Sequence, residues 1–340
     1  MFGERLEWPA VTEPGPPAWT PEREITVAGA RHLVCNGFPQ LAEAEVELFA
    51  QGWDNTAVRL RQPRSQGDDE WIFRFPRRAV ALAGVRRELV WLPQLAPLLP
   101  LAIPVPLYGG EWSPDGIDPW PFWGGRMLAG TELAEARPDP GQRRELAEQL
   151  GGFLRTLHHL PPDDFAIASG AELEYDPLGR GDPARRAART AQCLTRLREG
   201  KVDAPLDAAA QLVARAAELP PPSPPGVLCH GDLHVRHVLV TASGGAHPQA
   251  CGVIDWGDLC LADPAVDLSI AFAAFSGAQR QAFFRAYGPI DADRELRARA
   301  LAVGLSALLT EYALAQVNPD GSGSALLPEV ADGLARAVEG

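Results

Sequence analysis

The chain has 340 residues, 46% of them hydrophobic, enough for one large core or two linked lobes. Its 44 acidic and 31 basic side chains give a net charge of -13 and a pI of about 5.0. That balance does not suit a nucleic-acid partner, which would want a basic stripe; it serves solubility and suits a cationic ligand. The cysteines (Cys35, Cys193, Cys229, Cys251, Cys260) are odd in number and form no C-x-x-C pair. They fit a reducing cytoplasm better than a disulfide framework or a zinc site. Met1–Thr20 is acidic and proline-rich with no apolar core, so no signal peptide is expected. The apolar stretch Leu92–Leu107 is broken by five prolines, which excludes it as a membrane helix. A monomer or weak dimer is expected.

In chain order, residues 1–24 read as a loose, Pro-rich arm. Thr26–Phe38 predicts a short helix, and Glu43–Ala50 alternates as a strand does. Gly52-Trp53-Asp54-Asn55 is a turn, followed by strands over Thr56–Leu60 and Glu70–Phe75. Leu82–Leu95 predicts a helix; Pro104–Tyr108 and Phe122–Met127 predict two further strands. The rest is mostly helical: Gly141–Leu160, Asp182–Arg198, Asp203–Leu219, Ala265–Phe275, Gln279–Tyr287, Ala292–Val317 and the C-terminal tail. A strand-loop-strand block, Val227–Trp256, interrupts them. The expected class is α+β in two parts, an N-terminal lobe over 25–127 and a C-terminal lobe over 128–340.

The informative segment is Leu228–Leu268. Two apolar runs, Val238–Val240 and Cys251–Ile254, flank a turn of small and polar residues, which is a hairpin signature. Asp232 lies just before the first run and Asp255 at the end of the second, so a hairpin brings both to one end. With His237 between them in sequence, they make a hard-cation site with a base beside it. Phosphoryl transfer needs little more: Mg²⁺ on the phosphates, an acceptor hydroxyl held in line, and a carboxylate to take its proton.

His230-Gly231-Asp232-Leu233-His234 resembles the HGD-x-H catalytic loop of the aminoglycoside and macrolide phosphotransferases. Ile254-Asp255-Trp256-Gly257-Asp258 resembles their I-D-[FW]-G-[DE], and Asp263-Pro264-Ala265-Val266-Asp267-Leu268 their D-P-x-x-D-[LF]. The resemblance implies a protein-kinase-like bilobal fold, with a small β-rich N-terminal lobe holding one main helix and a large, mainly helical C-terminal lobe. It implies ATP or GTP as donor with Mg²⁺, Asp232 as catalytic base, and Asp255 as metal ligand. The family's second metal ligand is usually Asn five residues after the base; His237 stands there. Macrolide phosphotransferases and those acting on the double-prime aminoglycoside ring are similar in having His, and they use GTP readily.

The resemblance extends forward. Gly52 and Asn55 match the G-x-[DE]-N turn over the phosphates. Arg74 stands where the family has its phosphate-binding Lys, with Arg77 and Arg78 as rivals; Lys201, the chain's single lysine, is far outside that lobe. Arg keeps the charge and binds phosphate bidentately. Glu88 is the expected partner from the following helix, and Phe122–Leu128 resembles the segment joining the lobes. His158 and His159 match a structural L-H position, and His230 is expected to orient the loop rather than transfer protons.

On the acceptor side, Asp258 and Glu311 are the candidate ligands of a cationic substrate, with Asp163, Asp164, Glu172 and Glu174 nearby. The expected acceptor is an aminoglycoside or macrolide; a sugar, amino-alcohol or homoserine-like metabolite is the alternative. Two further readings compete. One is a metal hydrolase built on His230, Asp232, His234 and His237. The other is a non-catalytic nucleotide binder, suggested by the Arg74 and His237 departures.

Overall fold

A computed structural model describes residues 20–52, 54–63, 69–114, 116–163, 172–241, 248–316 and 324–339. Contacts divide the chain into two compact units, one made of Met1–Leu82 with Gly110–Phe122 and the other of Ala83–Gly109 with Trp123–Gly340. Most of the expected Pro-rich arm lies outside the described residues.

The first unit is a sheet with a helix at its head. Helix α1 (Val27–Gly37) is capped by the Thr26 hydroxyl, which accepts from Gly29 N at 3.0 Å. Strands β1 (Glu45–Gln51), β2 (Asn55–Gln62) and β3 (Asp69–Pro76) pair antiparallel in sequence order. Strands β4 (Tyr108–Trp112) and β5 (Trp120–Arg126) complete the order β1-β2-β3-β5-β4. The period-2 pattern sends Thr56, Val58 and Leu60 of β2 and Trp71, Phe73 and Phe75 of β3 to one buried face. Phe75 stacks on Phe122 with ring centroids 4.8 Å apart and meets Trp112 edge-on. Arg74, between two buried phenylalanines, takes the opposite face opposite Ala57.

The predicted strand over Pro104–Tyr108 does not form. The strand starts at Tyr108, because Pro104 and Pro106 have no N–H to donate to a ladder. The last strand begins at Trp120, two residues earlier than expected.

The second unit opens with helix α2 (Leu82–Leu95), whose Val85, Trp91, Leu92 and Leu95 are buried in its large core. That is why the contact division does not follow the expected cut at 127: the helix between strands β3 and β4 shares the helical core. Short β6 (Thr131–Glu132) and α3 (Leu133–Ala136) lead to α4 (Arg143–His159). In α4 Leu146, Leu150, Phe153, Leu154 and Leu157 recur at helical spacing and are all buried. Helices α5 (Pro183–Glu199) and α6 (Leu206–Ala216) follow. A central block holds β7 (Val227–Cys229), β8 (Val238–Val240), β9 (Ala250–Val253) and β10 (Cys260–Ala262). They form a two-stranded sheet β10-β7 and a three-stranded sheet β6-β8-β9. The chain then runs through α7 (Ala265–Ala274), α8 (Gly277–Tyr287), α9 (Ala292–Ala315) and α10 (Leu327–Val338). Among the described residues α9 alone is long and apolar enough to match a bilayer span; half of that window is buried, packed against α5, α6, α7 and α10.

Candidate active site

The expected hairpin forms: β8 and β9 pair antiparallel with Val238 opposite Val253, and Ile254 N donates to His237 O at 2.9 Å. Asp232 and Asp255 therefore leave the hairpin at the same end. The loop His230–His237 between β7 and β8 is held at both ends. Asp267, on the first turn of α7, accepts from the backbone N–H of His230 at 2.7 Å and of Gly231 at 3.0 Å. Its Oδ2 also lies 3.2 Å from His158 Nε2, and His158 Nδ1 lies 2.9 Å from the Tyr287 hydroxyl. Asp267 is fully buried; burial favours its neutral form, but the His158 hydrogen bond, the charges of His158 and His230 and the Gly231 N–H outweigh this and lower its pKa.

The His230 ring lies 2.9 Å from Ile254 O through Nε2, while its Nδ1 accepts from Asp232 N at 3.2 Å. Those two bonds make Nε2 the protonated nitrogen of a neutral ring. Burial, the largest influence, lowers the pKa of His230, in keeping with a ring that orients the loop. Gly231 has φ +89, and a Cβ there would sit 2.1 Å from Asp258 O, so only glycine lets the two loops meet.

His237 joins the two carboxylate-bearing segments. Its Nδ1 lies 2.8 Å from the backbone carbonyl of Asp232, so Nδ1 carries the proton and the Nε2 lone pair is left for a ligand. That Nε2 is 3.5 Å from Asp255 Oδ2. A ring that donates one nitrogen to a carbonyl and points the other at a carboxylate is the arrangement of a metal-binding histidine. Asp255 itself sits at φ +66, a left-handed conformation that costs a non-glycine residue energy and is held by the surrounding loop. The His234 ring lies 3.8 Å from that of His237, and burial first, then the His237 and Arg236 charges, keep it strongly neutral. Asp232, His234 and His237 are close enough for one ion to touch all three. With Asp255 the set is two carboxylates and two imidazoles, and the two carboxylates are the ligands that suit Mg²⁺.

The residue that the sequence reading missed is Arg180. Its Nη2 is 3.1 Å from Asp232 Oδ1 and 2.8 Å from Asp258 Oδ2, and its Nη1 donates to Gly231 O. The segment that presents it is built: Asp176 accepts from Arg180 N at 2.7 Å and Gly181 N at 2.9 Å, and Asp176 N donates to Leu261 O at 2.7 Å. The visible signal is the turn-rich Asp176-Pro-Leu-Gly-Arg-Gly-Asp-Pro183; nothing in it names a partner more than fifty residues ahead.

The remaining predicted residues fall as follows. Glu88 is buried and accepts from Trp123 Nε1 at 2.9 Å. One turn before it, Gly84 packs so closely that a Cβ would lie 2.7 Å from Gly257 O, and Arg87 Nη2 donates to that same oxygen at 2.6 Å. In the first unit, Gly52 N donates to Asn55 O at 2.9 Å, closing the expected turn; its Trp53 lies outside the described residues. The Asn55 amide oxygen is buried with no partner among the described residues, an orphan that a ligand donor would satisfy. Arg77 donates to Gly52 O at 2.7 Å and Arg78 to Asp54 Oδ1 at 2.9 Å, so both rivals of Arg74 are spent on the turn. Asp258 pairs with Arg180, and Glu311 pairs with Arg196, 3.0 Å from Nη2 to Oε2. Asp164 lies outside the described residues. A four-ligand hydrolase cluster is not assembled, because His230 spends both ring nitrogens on backbone groups.

Comparison with curated proteins gives no match. Solved structures give many. The GDP complex of wild-type aminoglycoside 2'-phosphotransferase-IIIa is 22% identical, with a TM-score of 0.60 over 92% of this chain and 99% of that one. The GDP and kanamycin complex of APH(2")-IIia gives 22% and 0.60 over 91% and 97%. Macrolide 2'-phosphotransferase type I gives 20% and 0.54 over 92% and 98%. At these identities the likeness shows the fold, which is that of the protein-kinase-like phosphotransferases. The model of the APH family, described as "Phosphotransferase enzyme family", matches residues 45–300, a span that holds all three motifs and both loops. With that match across most of its length, the chain belongs to the phosphotransferase enzyme family and is a small-molecule phosphotransferase.

Proposed function

We propose that the protein moves the γ-phosphate of ATP or GTP to a hydroxyl of a small molecule, with Asp232 taking the hydroxyl proton. The observation that carries this is the Asp232–His237–Asp255 arrangement: one imidazole bonded to the base's own backbone and facing the second carboxylate. The acceptor oxygen attacks the γ-phosphorus, its bond to the β-bridging oxygen breaks, and the proton passes to Asp232. Arg180 holds one carboxylate oxygen of Asp232, which fixes its direction. Mg²⁺, when bound at His237 and Asp255, would neutralise phosphate charge; Arg74, Gly52, Asn55 and Glu88 are assigned to the nucleotide phosphates and their support. The Asn55 orphan oxygen supports a ligand at that turn.

An aminoglycoside or macrolide acceptor draws support from the fold shared with phosphotransferases of those names. A metabolite acceptor draws support from a different observation: Asp258 and Glu311 already hold arginines and so offer less to ammonium groups. Nucleotide consumption with Mg²⁺, ATP or GTP, against aminoglycosides, macrolides and small polyols or amino-alcohols, tests the reading. Acceptor-dependent turnover that Asp232→Ala removes supports it; nucleotide binding with no turnover on any acceptor would favour a non-catalytic binder.

A further inference from the structure

We propose that the face of α5 beside Asp232 is an oxyanion subsite, so that the acceptor carries a carboxylate or phosphate group near the hydroxyl it presents. The inference rests on the phosphotransferase reading of Asp232 and names the acceptor class that reading leaves open.

Between its Asp182 cap and Glu199, α5 carries Arg185, Arg186, Arg189, Arg196 and Arg198 and no acidic residue, in a chain whose net charge is -13. Two of these arginines are spent: Arg196 on Glu311 and Arg198 on Asp207. Arg186 is not. It is half-buried, and no hydrogen bond or ion pair among the described residues engages it. Burial first, then the charges of Arg180 and Arg189, lower its pKa, while Asp232 and Asp176 attract it, which places it in the field of the base.

Arg186 lines a small cavity with Arg180, Thr190 and Arg297, whose remaining wall is apolar or glycine and carries no carboxylate. Arg297 comes in from α9 and is 7% exposed. Its Nη2 donates to Pro220 O at 2.6 Å, but its Nη1 is buried with no partner. A buried guanidinium N–H without an acceptor is costly, as is a half-buried cation without a counter-charge. Two such groups around one cavity, with Arg180 as the link to Asp232, are what a bound oxyanion satisfies. The cavity holds about 10 Å³, room for one water-sized group, so a compact headgroup enters with a single oxygen inward and Arg186 closes over the rest. Ammonium groups would meet three guanidiniums there.

The test uses one sugar scaffold in three charge states: glucose, glucosamine and glucose 6-phosphate, with gluconate as the carboxylate form, each with Mg²⁺ and ATP or GTP. The anionic members should be preferred over glucose by about 10-fold or more in kcat/KM, the scale of one charge-assisted bond. Arg186→Gln should remove most of that preference through KM. Preference for glucosamine, with a ranking that Arg186→Gln leaves unchanged, overturns the inference; the phosphotransferase reading still stands if Asp232→Ala abolishes that turnover. Inorganic phosphate separates the sources of the anion. Competition with the anionic acceptor supports an acceptor subsite, whereas phosphate that activates glucose turnover without competing overturns that part. A second readout does not need the right scaffold. In protein saturated with Mg²⁺ and a non-hydrolysable nucleotide, phosphate should raise the Tm of the wild type and not of Arg186→Gln. Equal shifts in both overturn the subsite. Without phosphate, Arg186→Gln should not lower Tm, since the side chain gives up no partner; a structural arginine would.

Discussion

The loop His230–His237 and the arginine face of α5 meet at Arg180 and are built on opposite plans. In the loop, backbone donors end on Asp267, His230 bridges to Ile254, and His237 holds the Asp232 carbonyl. At the helix face, Arg186 and the Nη1 of Arg297 from α9 are left without acceptors among the described residues. The first region has its geometry fixed before any ligand arrives, which is what electrostatic preorganisation requires. The second holds charge in reserve, which a ligand must complete. Reaction chemistry and substrate choice are thus assigned to neighbouring surfaces with different tolerance to change.

The largest expected break in that comparison is Asp232→Ala. Loss of a positioned general base should lower kcat by about 10²–10⁴-fold, with little change in nucleotide affinity by titration. A near-full rate would remove Asp232 from the role. Next comes the tether. Asp267→Ala leaves two loop N–H groups and His158 without their buried acceptor, and should cost about 3–5 kcal/mol in denaturant unfolding. A loss below about 1 kcal/mol would mean that the loop stands without it. Because the Asp267 pKa is lowered on folding, its contribution is complete above the ordinary carboxyl value of 3.8 and fades as pH falls through the lower folded value. Comparing acid unfolding of wild type and Asp267→Asn reads this directly: their gap should narrow in that window. Asp255→Ala should weaken Mg²⁺-nucleotide binding by about 10–100-fold, the scale of disturbing a metal site; unchanged affinity would remove it as a ligand. The smallest catalytic effect is expected for Arg180. Arg180→Lys keeps one charge but not the fork that serves Asp232, Asp258 and Gly231 together. It should lower kcat by about 10-fold, one bond's worth. An unchanged kcat would make Arg180 a structural tie.

Much of this was legible in the sequence because it is local. The boundaries of α2 were read correctly to the residue, from an apolar period followed by prolines. The β8–β9 hairpin followed from two apolar runs and a polar turn, and it forced Asp232 and Asp255 to one end. The strand at Pro104 does not form because the segment has strand-like apolar spacing but lacks the backbone donors of Pro104 and Pro106. Arg180 and the Asp267 tether were not legible as contacts. Both depend on partners far apart in the chain, and an arginine between two glycines or an aspartate in a helix's first turn looks ordinary until the fold brings its partner close. The arginine partners of Asp258 and Glu311 were not legible either, because a net charge averages over positions that only the fold brings together.

The contact between Gly84 and Gly257 has an evolutionary consequence. No side chain at position 84 fits against the backbone at Gly257, which follows Asp255 and Trp256. A library saturating position 84 should therefore return glycine almost alone under selection for turnover, however well the variants fold. The constraint falls on the helix side of the contact, since a Cβ at Gly257 would meet nothing within 4 Å, so new acceptors are more easily acquired on α5 than by altering α2 at this point.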